Sequence, residues 1–299
     1  MIDIRGNTRL AGVIGWPLDH TLSPAMHNAV YGELGLNWAY VPLAVADETG
    51  LRRVVAAVRS LPFVGFNITM PYKEAALELC DEVATAADMA GAVNTVHCSA
   101  DGRLIGYNTD GRGMLESLAA DADCNPCGKQ VVILGAGGAA AAAFVALILA
   151  KSAGITVVNR NLERAEELLD RMTPRAGAIA LDAVSMDAAE TAVREADLVI
   201  NATPVGMKPG SGSPIATEWL GAGQVVLDMV YGTPSPTDLV VGARARGAVA
   251  LDGLGMLVAQ GATAIDIWNA EAQLRTPRDV MRRAAEQQLA SRNRPEVNG

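Results

Sequence analysis

The apolar residues of this chain fall into two rhythms. Short unbroken runs, LAGVI at 10–14, WAYVPLAV at 38–45 and FVGFNITM at 63–70, alternate with stretches where apolar positions recur every three to four residues. The first rhythm suits buried strands and the second suits amphipathic helices. Helices are predicted for PAMHNAVYGELG, opened by Pro24 and closed by Gly35, for ETGLRRVVAAVRSL with its arginines on the polar face, and for EAALELCDEV at 74–83. Two short strands, AVNTVHC and RLIGYN, flank the turn SADG.

A helix from Asp110 to about Ala122 leads into the polar loop DCNPCG, after which strand and helix restart. VVILG and ITVVNR are strands with helices after each, the second running from Leu162 to about Arg171. Further strands are expected near Ala178–Leu181, Leu198–Asn201, Val225–Asp228 and Gly247–Asp252. The last forty residues read as helical from about Met256, ending in a polar tail. Such alternation predicts an α/β fold of two domains, with the boundary near that loop and with C-terminal helices able to return to the first domain.

Composition narrows the function classes. Half of the 299 residues are apolar and 19% are charged, enough for a sizeable core. The formal charge of −9 excludes a broad nucleic-acid surface while allowing one local basic anion site. The N-terminal MIDIRGNTRL has no apolar signal-peptide core, so a cytoplasmic enzyme or binding protein is expected. Residues 131–150 carry no charge, but a strand, a tight turn and a helix account for them better than a membrane span does. Cys80 and Cys98 read as small buried hydrophobes, and Cys124 with Cys127 supplies too few ligands for zinc. His20 and His27 lack a third partner nearby and read as packing or capping residues. No metal is expected.

Gly135-Ala136-Gly137-Gly138-Ala139 follows a strand and opens a helix. This is the setting in which backbone N–H groups and a helix N-terminus hold a pyrophosphate, with Ala140 in place of the third glycine. Where an NAD site usually has an acid, the next strand ends in Asn159-Arg160, with Arg164 one turn on. Two guanidiniums and an amide suit an adenosine 2′-phosphate, so NADP is the expected cofactor. Thr203 and Met207 lie on a loop after another strand end, facing the cofactor.

GWPLDHTLSPAMHN at 15–28, NITMPYK at 67–73, GAVNT at 91–95, GYNTDG at 106–111, GAGGAA at 135–140, NATPVGM at 201–207 and DGLGMLVAQGA at 252–262, taken in order, resemble the shikimate dehydrogenase family over nearly the whole chain. The resemblance implies a discontinuous substrate domain, 1–109 with 253–299, and a Rossmann-like NADP domain at 110–252 that includes the linker helix. It implies reversible NADP-linked hydride transfer between 3-dehydroshikimate and shikimate. Lys73 and Asp110 would be the catalytic pair, Thr21 and Ser23 with Tyr231 would hold the substrate carboxylate, and Thr69, Asn94, Asp110 and Gln260 would bind ring hydroxyls. Met229 and Gly253 complete the expected cofactor set. The chemistry agrees, since an ammonium can stabilise and protonate a developing alkoxide while a carboxylate orients the groups around it.

The sequence departs from the family pattern at several places around both ligands. Thr21 stands for the first serine of the carboxylate pair, Ala141 for an arginine beside the pyrophosphate turn, Asp252 for an asparagine, and Ala259 for a larger ring. The stretch 231–237 is one residue longer. Quinate and aminoshikimate therefore stay open as substrates, and a non-catalytic NADP-binding sensor stays open as another class. A folate-linked dehydrogenase/cyclohydrolase is disfavoured by Thr21, Ser23 and NITMPYK. The expected partner is a small molecule, with neither nucleic acid nor membrane, and a homodimer is left open.

Overall fold

The two rhythms resolve into two six-stranded sheets. In the computed structural model, which describes residues 3–208, 210–272 and 275–292, the chain divides into one unit of Met1–Thr109 with Gln260–Gly299 and another of Asp110–Ala259.

In the first unit, β1 (Arg9–Gly15), β2 (Trp38–Ala44), β3 (Phe63–Ile68), β4 (Glu82–Val83), β5 (Thr95–Cys98) and β6 (Leu104–Tyr107) lie in the order β2-β1-β3-β5-β6-β4. β1 is parallel to β2 and β3, whereas β5 is antiparallel to β3 and β6. All six residues of β3 are buried, as expected of a central strand covered on both faces. Helices α1 (Ser23–Glu33), α2 (Glu48–Val58) and α3 (Thr85–Ala90) connect these strands. Asp47 caps α2 by accepting from Gly50 N–H at 2.7 Å, and Leu51, Val55 and Val58 then face Phe63, Phe66 and Ile68.

In the second unit, α4 (Asp110–Ala122) precedes β7 (Gln130–Leu134), α5 (Gly138–Leu149), β8 (Gly154–Asn159), α6 (Leu162–Ala176), β9 (Ala180–Ser185), α7 (Glu190–Glu195), β10 (Leu198–Asn201), β11 (Val225–Asp228), α8 (Asp238–Ala245) and β12 (Val249–Leu251). The sheet is parallel throughout, in the order β12-β11-β10-β7-β8-β9. The direction of winding reverses between β7 and β10, the place where doubly wound sheets bind nucleotides beyond their strand ends. The charge-free stretch 131–150 is β7, a turn and α5, and Ala140–Ile148 of that helix are all buried. Among the described residues no helix is long and apolar enough to cross a membrane.

The chain ends in α9 (Leu254–Trp268) and α10 (Arg278–Arg292). The division between units falls inside α9, between Ala259 and Gln260. Within the first unit, the Trp268 indole donates to the Val96 carbonyl at 2.9 Å, and α10 packs on α1. The polar tail expected beyond α10 lies outside the described residues.

Three expectations are corrected. EAALELCDEV is not one helix, because a 3-10 turn at Ala75–Leu79 gives way to strand β4. Asp81 causes the change, since its N–H donates to the Leu104 carbonyl (2.8 Å) and its carboxylate accepts from Leu104 N–H (2.7 Å), drawing the chain onto β6. α6 extends past Arg171 through Pro174, because Met172 and Ala176 carry its buried stripe another turn. β9 sits later than Ala178–Leu181, where its pairing with β8 begins at Gly154↔Ala180.

Candidate active site

The substrate candidates of the first unit converge because of strand direction. β1 and β3 end side by side, which places the loop before α1 next to the loop after β3. Thr69 N–H donates to the Ile14 carbonyl (2.9 Å) and Trp16 N–H to the Met70 carbonyl (3.0 Å). Gly15 permits this approach, since a Cβ there would meet the Thr69 side chain and would stand 2.9 Å from the Met70 carbonyl. Thr21 and Ser23 sit on the first loop, with Thr21 Oγ1 accepting from Ser23 N–H at 3.3 Å. From α10, Arg292 donates to the carbonyls of His20 and Thr21, each at 2.9 Å.

Because β5 runs antiparallel to β3, its start lies at the same edge, with Asn67 opposite Thr95. Val93 N–H donates to the Lys73 carbonyl (2.8 Å), which ties the Lys73 turn to the segment carrying Asn94. Asn94 is buried and bonded to Thr109, whose hydroxyl reaches Gln260 Oε1 at 3.5 Å. Thr21, Ser23, Thr69, Lys73, Asn94 and Gln260 thus belong to one unit and, by these bonds, to one edge of its sheet. Asp110 is the buried first residue of α4, and Tyr231, exposed, follows β11; both belong to the second unit.

The nucleotide candidates line the strand ends of the second sheet. Gly135 has φ of +107°, a conformation that favours glycine, and its N–H donates to the Val158 carbonyl at 2.8 Å. Gly137 is the N-cap of α5 and supplies no side-chain cap, and a Cβ built on it meets nothing within 4 Å. An uncapped N-terminus of a twelve-residue helix with open space before it fits a pyrophosphate. Gly138 and Ala139 begin that helix. At the end of β8, Asn159 donates to the Asn161 carbonyl (2.8 Å), the Asn161 side chain accepts from Arg164 N–H (3.4 Å), and Arg160 and Arg164 are both exposed.

Beyond β10, Thr203 is engaged in its own loop. Its hydroxyl donates to Asn201 Oδ1 (2.6 Å) and accepts from Val205 N–H (3.2 Å). Met207 is half exposed, and a side chain at Gly253 would run into the Met229 backbone. Behind this loop stands a residue that sequence reasoning missed. Asp228, fully buried at the end of β11, accepts from Asn201 Nδ2 (2.8 Å), Val230 N–H (3.0 Å) and the Thr237 hydroxyl (2.6 Å), and burial pushes its carboxyl pKa up. The available signal was a carboxylate closing an apolar strand.

Cys98 is buried and Cys80 partly so, and burial pushes their thiols up to about 12 and about 11. Both are neutral near pH 7 and act as small apolar groups. His27 is fully buried against Tyr31, Tyr40 and Trp268, a packing residue as read. Among the described residues no group of three or more His, Cys, Asp or Glu is arranged to hold a metal.

Known proteins match this chain in sequence and in fold. A family model described as the shikimate dehydrogenase substrate binding domain matches residues 13–96, and one described as shikimate / quinate 5-dehydrogenase matches residues 117–207. Shikimate dehydrogenase (NADP(+)) of Methanopyrus kandleri is 41% identical over 294 residues, covering 96% of this chain and 98% of its own. A crystal structure of shikimate dehydrogenase in complex with NADP+ superposes with a TM-score of 0.87 at 35% identity, covering 96% of this chain and 98% of that one. The Thermus thermophilus shikimate 5-dehydrogenase in complex with NADP(H) and shikimate gives a TM-score of 0.83 at 37% identity, covering 93% and 99%. With two family models in tandem and a relative aligned almost end to end, the chain belongs to the shikimate dehydrogenase family.

Proposed function

We propose that this protein is an NADP-dependent shikimate dehydrogenase, reducing the ketone of 3-dehydroshikimate to the alcohol of shikimate and running the reverse oxidation. The observation that carries this reading is the convergence of three hydroxyls, a lysine and two carboxamides at one sheet edge, in a chain whose other sheet carries an open pyrophosphate turn. In domain terms, 1–109 with the C-terminal helices is the substrate domain and 110–252 the nucleotide domain.

NADPH, when bound, supplies the hydride. Gly135, Ala136, Gly137, Gly138 and Ala139 would hold its pyrophosphate, Asn159, Arg160 and Arg164 its 2′-phosphate, with Thr203, Met207, Met229 and Gly253 beyond. The chain's own work is grip and proton transfer. Thr21 and Ser23, with Tyr231, hold the carboxylate through hydroxyl donors. Thr69, Asn94, Asp110 and Gln260 hold ring hydroxyls and so set which carbon faces the hydride. As charge develops on the ketone oxygen, the Lys73 ammonium stabilises it and delivers the proton, and Asp110 orients the groups around it. In oxidation the same lysine takes the proton back.

The deciding experiment is a matrix of initial rates crossing NADP and NAD with shikimate, quinate and aminoshikimate. The fastest turnover is expected with NADP and shikimate. Faster quinate oxidation would reassign the substrate, and no turnover with any pair despite NADP binding would leave a sensor.

A further inference from the structure

In the second unit, one buried carboxylate holds two loops at the strand ends of the parallel sheet. Asp228 Oδ1 accepts from Asn201 Nδ2 (2.8 Å) and Val230 N–H (3.0 Å), and Oδ2 accepts from the Thr237 hydroxyl (2.6 Å). Asn201, Asp228 and Thr237 are all buried, so water does not compete for these groups.

The Asn201 arm reaches the loop after β10, where the carboxamide is used in full. Its Oδ1 accepts from Thr203 N–H (3.0 Å) and the Thr203 hydroxyl (2.6 Å), and its Nδ2 donates to the Val205 carbonyl (3.2 Å) as well as to Asp228. Main-chain partners fix this orientation, since a carbonyl only accepts and an N–H only donates. The Thr203 hydroxyl also accepts from Val205 N–H, so it is turned onto its own loop.

The other two bonds close the loop that carries Tyr231 across its base, Val230 at its start and Thr237 at its end. Thr237 Oγ1 accepts from Val240 N–H (3.4 Å), which leaves its proton for Asp228. The two loops also meet directly, since a Cβ on Gly206 would stand 3.0 Å from Thr237 Cγ2.

We infer that Asp228 is a positioning residue that sets both loops from one carboxylate, so that the cofactor grip of Thr203 and Met207 and the substrate grip of Tyr231 are adjusted together. Thr203 then serves the cofactor by shaping the loop, with its hydroxyl spent inside it. The inference rests on the reading of these three residues as ligand groups. It adds a shared support that touches neither ligand.

The test uses the full-length protein. Asp228→Asn keeps the shape and removes the charge. Whichever way the new amide turns, its nitrogen faces a donor, either the Thr237 hydroxyl or the N–H groups of Asn201 and Val230. The NADP dissociation constant, from fluorescence titration, and the shikimate KM should each rise roughly three-fold or more. Either constant unchanged overturns the shared role. Thr237→Val cuts only the Oδ2 arm, so it should raise shikimate KM about three-fold with NADP affinity unaltered, and Thr237→Ser should restore it. If Asp228→Asn does not fold, this pair decides, and an unmoved or unrestored KM overturns the proposal.

A ligand-free arm separates the inference from the enzymatic reading. In Asp228→Asn, amide hydrogen exchange should quicken in both 202–207 and 229–237 while β7 and β8 keep their protection. Faster exchange throughout the unit, or in one loop only, refutes the positioning role whatever the protein acts on. Quickening confined to both loops in a protein inactive on shikimate would sustain the role and reject only the substrate.

Discussion

His27 stacks on Tyr40 with ring centroids 4.0 Å apart and planes 24° apart, and neither imidazole nitrogen finds a hydrogen-bond partner. Burial lowers its pKa from 6.5 to about 3. The folded protein therefore holds this ring neutral, while the unfolded chain protonates it near 6.5. Its contribution is fully present above pH 6.5 and is withdrawn as pH falls toward 3, by up to about 1.4 kcal/mol per pH unit. Urea midpoints measured from pH 7.5 to 4.5 should fall more steeply in the wild type than in His27→Leu. Parallel slopes would reject the assignment.

Lys73 and Asp110 carry the chemical claim. Lys73→Ala should lower turnover by about 10²–10⁴-fold, the range for a positioned acid–base group. Asp110→Asn should also impair turnover, with a rise in substrate KM, and NADP binding should survive both. The double mutant should lose much less than the product of the single losses, as for residues acting as one unit. A folded Lys73→Ala protein keeping more than half its turnover, with product release excluded as limiting, would end the mechanism.

Arg160 is exposed at the end of β8, where an NAD site would have an acid. Arg160→Ala should raise the NADP KM roughly ten-fold or more, by loss of a charge-assisted phosphate contact, and leave NAD kinetics nearly unchanged. Equal losses with both cofactors would remove the 2′-phosphate from its role.

The two bonds of Arg292 to the His20 and Thr21 carbonyls tie the last turn of α10 to the loop that carries Thr21 and Ser23. Arg292→Ala should raise substrate KM by roughly three- to ten-fold with NADP affinity unaltered, and Arg292→Lys should recover only part, because an ammonium lacks the two-pronged fork. Unchanged substrate KM in Arg292→Ala would show that the loop holds its shape without it.

The strands and the nucleotide turn were legible because their signals are local: apolar runs, a glycine pair, a polar strand end. The 74–83 segment was not, since its helix-forming composition is overridden by Asp81 pairing with Leu104, a partner distant in sequence. The substrate candidates were legible only as motifs recognised together. Arg292 and Asp228 escaped for opposite reasons. Arg292 resembles any surface arginine of a terminal helix, and Asp228 a strand-ending acid, until the fold brings carbonyls to the one and an amide and a hydroxyl to the other.

The split of α9 between Ala259 and Gln260 sets an order of birth. Translation delivers the entire second unit before the first receives Trp268, which bonds Val96, and α10, which packs on α1. At about 5–20 residues per second, the earliest strands wait many seconds on the ribosome for the helices that finish their fold. A chain terminated after Ala259 would emerge with the second unit whole and the first without Trp268, α10 and the Arg292 bonds to the His20 and Thr21 carbonyls. Completion of the first unit thus depends on residues translated after the whole of the second.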